Sequence, residues 1–444
     1  MRVMVVGSGG REHALAWKIS LSPQVTRRDD LMCVPGNAGI EQEAICLPLP
    51  GGDLGDVEGL ATLARTQRAD LVVVGPELPL TAGLVDALAV RGIAAFGASR
   101  MAARLEGSKV FAKRFMQRHR IPTAGFDVFD DADTALRHLD APGTQFPVVV
   151  KADGLAAGKG VVVAGERDEA RRAVVAMMRQ RQFGEAGARV LIEECLTGVE
   201  ASFFALTDGE SAIPLGTCQD YKRVGDRDTG PNTGGMGACC PSAALDDALE
   251  ARILKEVVDP TIAGMAAEGA PYRGVLYAGL MLTAAGPMVL EYNARFGDPE
   301  TQVLMPGLQG DIVETLLSAA TGRIDAAHRP RLARGARVCV VMASRGYPES
   351  SSSGQPISGL DEAAALPDTK VFHAGTRRRA LPAAGFETAG GRVLGVTAWG
   401  DSLEDAVARA YAGVERISFE GMHYRRDIGQ HALARQGARR RQEG

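Results

Sequence analysis

The sequence predicts a multidomain α/β protein, and three observations carry that prediction. Its 444 residues exceed what one core usually holds, at roughly 150 residues per domain. Within the first hundred residues, short apolar runs ending in Gly or Pro loops alternate with stretches of helical spacing, the pattern of a parallel sheet flanked by helices. From about residue 338 onward, strand-like runs dominate. The chain is 45% hydrophobic and 23% charged with a formal net charge of −4, so no basic field argues for nucleic acid. No run approaches the ~20 apolar residues of a membrane span, and MRVMVVGSGG is too brief for a signal peptide. The Cys residues at 33, 46, 195, 218, 239, 240 and 339 form an odd set without CxxC spacing. That pattern points to a reducing, cytoplasmic setting.

Taken in order, residues 3–6 read as a buried strand, GSGG as a loop, and REHALAWKI as a helix with Ala14, Leu15 and Ile19 on one face. LMCVPGNAG (31–39), DLVVVGPELPL (70–80) and GIAAFGAS (92–99) repeat the strand-then-loop theme, with helices expected over 59–68 and 82–91. These elements make an N-terminal parallel lobe, residues 1–104, whose ligands belong beyond the carboxyl ends of its strands. EGSKVFAKRFMQRH opens a helix that Pro122 ends. A small hairpin-containing unit over 125–190 is set within a larger mixed segment, 105–328. A strand-rich lobe over 329–430 holds VCVVMASRGYP, the turn-rich SSSGQP and strands at 370–372 and 392–398. Residues 431–444 read as a basic tail, frayed and kept soluble by charge.

Several stretches carry chemistry. KADGLAAGKG (151–160) nearly spells a phosphate-binding P-loop, but it has three residues between its glycines rather than four, and Gly160 where Ser or Thr is needed. Because VVVAG follows as a strand, the loop belongs to a hairpin, either a surface turn or a flexible cover whose amides and lysines suit phosphate oxygens. In GSGGREHA, Gly7 and Gly9 fit a dinucleotide fingerprint, with Asp29 or Asp30 available as a ribose acid. Glu12 nevertheless stands where the third Gly is required. What remains is an anion seat at a helix N-terminus beside Arg11, or simply a tight turn. In IEECLTGVEAS, Glu193 and Glu200 flank a linker and can accept from an adenine amino group and ribose hydroxyls. In LEYNARFGDPETQ, strand alternation puts Glu291 and Asn293 on one face, an oxygen pair suited to Mg²⁺, with Arg295 next on that face for an anion. The stretch 220–240, DYKRVGDRDTGPNTGGMGACC, is too long for a turn and reads as a substrate-binding loop.

These motifs, in this order and as long unbroken strings, resemble the phosphoribosylamine–glycine ligase (glycinamide ribonucleotide synthetase) family of the ATP-grasp superfamily. VVGSGGREHALAW, PGNAG, VGPELPL, LEGSK, LYAGLM and VFHAGT add to the match, which spans all but the tail. The resemblance implies an ATP-grasp core with a small hinged lid lobe, and ligation of glycine to 5-phosphoribosylamine through glycyl phosphate, the second step of de novo purine biosynthesis. It implies ATP as cosubstrate with Mg²⁺ or Mn²⁺ held by Glu291 and Asn293, and a monomer or weak dimer. Lys109 and Lys151 would contact phosphates, a loop including Gly154, Gly158, Lys159 and Gly160 would cover them, and Glu193, Glu194, Leu196 and Glu200 would frame adenine and ribose. Gly9, Gly10, Arg11 and Glu12 would seat the phosphoribosyl group. Asp220, Lys222, Arg223, Asn232, Thr233, Gly234, Arg295, Asp298 and Glu300 would line the rest of the substrate site. Lys151, Asp220 and Arg295 are the expected catalytic groups. The chain departs from the family pattern at Cys239 and Cys240 and in reading EYN for EFN. Two rival readings are a nicotinamide-dependent oxidoreductase, which leaves the Glu291 and Asn293 pair unexplained, and a noncatalytic ATP-binding regulator, which would release no ADP with both substrates present.

Overall fold

The computed structural model describes residues 1–155, 160–324, 330–380 and 384–443, with side chains through residue 437. Near the N-terminus five parallel strands form a sheet in the order Ile45–Cys46, Leu31–Pro35, Val3–Gly7, Leu71–Val74, Ala94–Phe96. Val3–Gly7 and Leu71–Val74 are buried along their whole length, as strands covered on both faces must be. The strand order turns between these two, so the loops beyond them, residues 8–9 and 75–76, flank the crevice where such sheets take ligands.

The helix expected over 82–91 is Leu84–Val90, while Glu77–Ala82, in the stretch 70–80 expected as strand and loop, is a second helix that Gly83 at φ 102° closes in a left-handed turn. The one expected from residue 106 is broken at Ser108 into Arg104–Gly107 and Lys109–Arg118. Ser108 leaves the helical conformation so that its hydroxyl can accept from the Phe111 amide at 3.1 Å, an N-cap. That break puts Lys109 at the first position of the second helix.

A small antiparallel sheet follows, in the order Phe126–Phe129, Val190–Glu194, Val148–Ala152, Val161–Ala164. The Ala132–Asp140 and Arg167–Val174 helices cover it through Ala135, Leu139, Ala170 and Val174. The hairpin expected around KADGLAAGKG is present, with Lys151 opposite Val161. The unit extends to Glu194, since the Val190–Glu194 strand has both its neighbours inside it.

Eight antiparallel strands make the large sheet: Gly286–Asn293, Arg273–Thr283, Val199–Asp208, Ala212–Asp220, Gly237–Cys240, Ala336–Ala343, Arg392–Gly400 and Thr369–His373. Gly237–Cys240 is the joint, pairing with Ala212–Asp220 on one side and Ala336–Ala343 on the other. The strand-rich C-terminal part therefore shares its sheet with the core. One apolar cluster runs from Val5 and Leu15 through Phe204 and Leu304 to Val341 and Phe372, tying the N-terminal sheet to both. The tail differs from expectation: Gln430–Glu443 is helical, its first turn anchored by buried Ala432 and by Leu433 against the C-terminal core.

Candidate active site

Residues 195–198 cross from the small sheet to the large one, and a group of buried charges gathers at that seam. Asp153 organises it by capping the Lys109–Arg118 helix. Its Oδ1 accepts from Ser108 Oγ at 2.9 Å and from the Val110 amide at 3.1 Å, while Oδ2 accepts from Arg189 at 2.6 Å. The cap brings Lys109 beside Lys151. Lys109 Nζ donates to the Gly154 carbonyl at 2.9 Å and Lys151 Nζ to the Leu290 carbonyl at 3.1 Å. Lys113, one turn beyond Lys109, joins Lys151 on Glu193 Oε2, each at 2.9 Å. Burial brings the Lys113 ammonium down to about 8 despite Glu193, and it lowers Lys109 despite Glu291. Glu193 Oε1 is buried with no hydrogen-bond partner. A bare buried acceptor costs about 1–3 kcal/mol, which a ligand N–H would recover.

Strand alternation turns Glu194 the other way, exposed and accepting from the Gly125 amide at 3.3 Å. Leu196 lies half-buried in the crossing, and beyond it Glu200 accepts from Lys222 at 3.1 Å. At Gly154 φ is 129° and a Cβ would stand 2.9 Å from Ala186, so glycine is required. The Gly160 carbonyl accepts from the Ala152 amide at 2.8 Å. Gly158 and Lys159 lie outside the described residues.

Glu291 and Asn293 share a face, opposite to buried Tyr292, and Arg295 reaches back to donate to Asn293 Oδ1 at 3.3 Å. Burial opposes the charge on Glu291, yet Lys222, Lys151, Lys109 and Arg295 hold its carboxyl below the ordinary range. Arg295 is itself held by Glu106 at 2.9 Å and Glu77 at 3.3 Å. Glu106 accepts from the Ala294 amide at 2.7 Å, which fixes the strand end that carries the arginine.

A second group of polar residues adjoins this one. At the Gly10–Ser20 helix, Glu12 folds back so that Oε2 accepts from the Gly9 amide at 2.6 Å and Oε1 accepts from Arg11. A Cβ on Gly7 or Gly75 would collide with Glu12, so this acid fills the space that a third Gly would leave open. Arg11 also donates to the Phe296 carbonyl at 3.3 Å and is buried. Asp29 and Asp30 precede the Leu31–Pro35 strand, at the far end of the sheet from this loop, which removes both as ribose acids. Asp298 approaches Gly9 and takes Arg392 Nη2 at 3.0 Å. Glu300 Oε1 accepts from Tyr277 at 2.7 Å, and Tyr277 meets Ser202 at 2.9 Å. Burial, with Glu300 second, pushes Asp220 well above the usual carboxyl range, and its Oδ1 has no partner. Lys222, by contrast, is held above the lysine range by Glu200, Glu291 and Asp220, which outweigh its burial.

The rest of the expected substrate loop turns to its own support. Arg223 and Asn232 pair in a short hairpin, with Arg223 donating to the Gly230 carbonyl at 2.8 Å. Thr233 Oγ1 donates to the Lys222 carbonyl at 2.8 Å, and Gly234 is pinned by Tyr347 and Arg392. At the hairpin tip Arg227 and Asp228 adopt φ of 56° and 54°. Arg425, which is fully buried, holds that tip: it donates to Asp228 at 2.7 Å and makes a two-point pair with Asp427 at 2.8 Å. Asp427 in turn accepts from the Arg227 amide at 2.8 Å.

Three profiles of one family cover the chain: the phosphoribosylglycinamide synthetase N domain over residues 1–106, its ATP-grasp (A) domain over 107–301 and its C domain over 337–431. The chain belongs to the phosphoribosylglycinamide synthetase family. It is 51% identical to the phosphoribosylamine–glycine ligase of Xanthomonas axonopodis pv. citri, across 98% of this chain and 99% of that one. The crystal structure of the phosphoribosylamine–glycine ligase of Thermotoga maritima superposes with a TM-score of 0.82 at 34% identity, covering 96% and 100% of the two chains. The fold extends to Campylobacter jejuni biotin carboxylase, at a TM-score of 0.72 and 16% identity over 98% of this chain and 94% of that one.

Within this phosphoribosylglycinamide synthetase fold, Lys109, Lys151, Glu193, Glu291, Asn293 and Arg295 converge at the seam. Gly9, Asp220, Asp298 and Glu300 gather beside them. Glu194, Arg223 and Asn232 do not converge with them. Sequence reading missed Lys113, Glu106, Arg392 and Arg425. Lys113 left a signal in its spacing of four from Lys109 on one helix face, and Glu106 in lying within LEGSK; Arg392 and Arg425 arrive from distant segments.

Proposed function

We propose that this chain is an ATP-dependent ligase that joins glycine to 5-phosphoribosylamine, giving glycinamide ribonucleotide, ADP and phosphate. The observation that carries this reading is the convergence of Lys109, Lys151, Lys222 and Arg295 on the anionic Glu291, at the seam between a small sheet and a large one. It is a group of cations, Lys151 buried and the other three partly so, suited to a triphosphate.

A glycine carboxylate oxygen takes the γ-phosphoryl group of ATP and ADP departs. The amine nitrogen of phosphoribosylamine then bonds to the acyl carbon as its bond to the phosphate oxygen breaks. No protein nucleophile is required, so the chain's work is charge compensation and positioning. Lys109 and Lys151 bear on the phosphates and Arg295 on the transferred group, and enclosure of the site would keep water from the glycyl phosphate. Asp220, whose carboxyl is held above the usual range by burial and then Glu300, is the group we assign to proton exchange with the amine. Gly9 and Gly10 at the helix N-terminus face the phosphoribosyl group, with Glu12 holding the turn.

The donor set fits a hard divalent cation, Mg²⁺ or Mn²⁺. Glu291 stays ionised and Asn293 offers a neutral oxygen beside it, while among the described residues no cluster of three or more His, Cys, Asp or Glu forms a closed metal site. Such a cation, completed by phosphate oxygens, would offset charge on the triphosphate. No helix of the described residues is long and apolar enough to cross a membrane, and all seven cysteines are free; we assign the chain to the cytoplasm. The deciding experiment is a coupled assay of ADP release. Release that requires glycine and phosphoribosylamine together is expected, and ADP formed without either substrate, or not at all with both, overturns the reading.

A further inference from the structure

We propose that Lys113 makes the nucleotide cleft selective for a purine bearing a 6-amino group, by fixing Glu193 as an acceptor with one open oxygen. The proposal rests on the reading of Glu193 as an adenine contact. Lys113 is a positioning residue, since its ammonium is buried and already committed to protein atoms. It lies 2.9 Å from Glu193 Oε2 and donates to Thr123 Oγ1 at 2.7 Å. That hydroxyl donates onward to the Val289 carbonyl at 2.6 Å, which anchors the arrangement to the large sheet. Lys151 reaches the same Oε2 at 2.9 Å and is tied to the neighbouring Leu290 carbonyl.

Both cations therefore sit on one oxygen of the carboxylate. Two ammonium groups on one oxygen leave the other to face the cleft, and a carboxylate paired in this way offers acceptor sites. Oε2 is occupied and Oε1 is buried without a partner, so the single vacancy on this side chain is an acceptor. A 6-amino purine places an N–H donor there. A 6-oxo purine places lone pairs against a carboxylate, and a site built to pair with one group discriminates strongly against a ligand lacking it. With Lys113 gone, Lys151 alone no longer determines which oxygen is free, and the carboxylate can turn about its soft terminal torsion. The preference for the amino group then weakens.

The test uses the full chain and two nucleotides that share ribose and phosphates, ATP and inosine triphosphate, in parallel kcat/KM and calorimetric binding measurements. The parent is expected to prefer ATP by at least about 100-fold. Lys113→Met should narrow that ratio at least about tenfold, by losing ATP more than inosine triphosphate, with the KM for glycine unmoved. Lys113→Arg, which keeps a cation on Glu193, should restore most of the ratio. If Lys113→Met does not fold, Lys113→Gln, which keeps a polar head for Thr123, is judged by the same outcomes. An equal loss for both nucleotides marks a structural role and overturns the proposal, as does an unchanged ratio in a folded variant. A parent that does not distinguish the two nucleotides overturns the adenine reading of Glu193 and this proposal together; a discriminating parent with unaltered variants overturns the role of Lys113 alone.

Discussion

The two halves of the site are built on opposite principles. The proposed nucleotide cleft gathers Lys109, Lys113, Lys151 and Arg295 from one helix face, two strand ends and a hairpin, all between Lys109 and Arg295. The proposed substrate side sets Asp220, Asp298 and Glu300 against Arg11 and Arg392, and it assembles from segments nearly 400 residues apart. The difference fits the ligands we propose, a polyanion in the first and, in the second, two amines that also carry a carboxylate or a phosphate. It also separates their failure modes. Substitutions in the cleft should act on the nucleotide, and substitutions in the supports of the substrate side should act on the other substrates.

The sharpest way to break this comparison is Lys151→Met. Removing a buried cation from the phosphates is expected to cost about 10²- to 10³-fold in kcat/KM for ATP, with far-ultraviolet circular dichroism unchanged. A folded variant of unaltered ATP affinity would move the triphosphate elsewhere. Next comes the oxygen pair. Glu291→Gln removes the only charged member and should shift the Mg²⁺ activation curve about 10- to 100-fold to the right, whereas Asn293→Asp keeps an oxygen and should leave the midpoint nearly in place while slowing turnover. Overlaying curves for both variants and the parent would leave the strand as a polar sheet face. A smaller effect is expected from Arg425→Gln, which frees the hairpin tip. The KM for glycine or phosphoribosylamine should rise about tenfold, equivalent to ~1.4 kcal/mol, with ATP binding by calorimetry unchanged. Weakened ATP binding would show that the two halves are not separable.

The last effect concerns stability rather than turnover. Burial, then Lys370 and Arg378, bring His373 from 6.5 in the unfolded chain to about 4. Between those values the unfolded chain binds more protons, so the contribution is complete above pH 6.5 and is lost as pH falls toward 4. It amounts to ~3 kcal/mol at most. His13, buried against the same backbone, adds in the same direction. Urea midpoints of the parent and His373→Gln should converge as pH falls through this window, and parallel curves would contradict the assignment.

Local physics explains what was legible in the sequence. Strand alternation placed Glu291 with Asn293 correctly, and a strand following KADGLAAGKG correctly signalled a hairpin rather than a P-loop. The same alternation should have set Glu194 apart from Glu193, but a pair of adjacent acids reads as a unit. Ser108 was read as a helix interior residue because its partners, Asp153 and the Phe111 amide, are visible only once the hairpin packs on the helix. Arg392 and Arg425 sit in stretches without any motif. Their importance comes from carbonyls and carboxylates some hundred to two hundred positions away, which neither propensity nor periodicity encodes.

The Arg425 anchor gives the protein an order of assembly. During synthesis everything that forms the nucleotide cleft has left the ribosome once residue 295 and a short exit length have emerged. The hairpin tip at Asp228 must wait for an arginine 197 positions later, roughly 10–40 s at ordinary elongation rates. In that interval the hairpin tip lacks both of its C-terminal holds, Arg425 on Asp228 and Asp427 on the Arg227 amide, so this loop is among the last parts of the chain to be fixed.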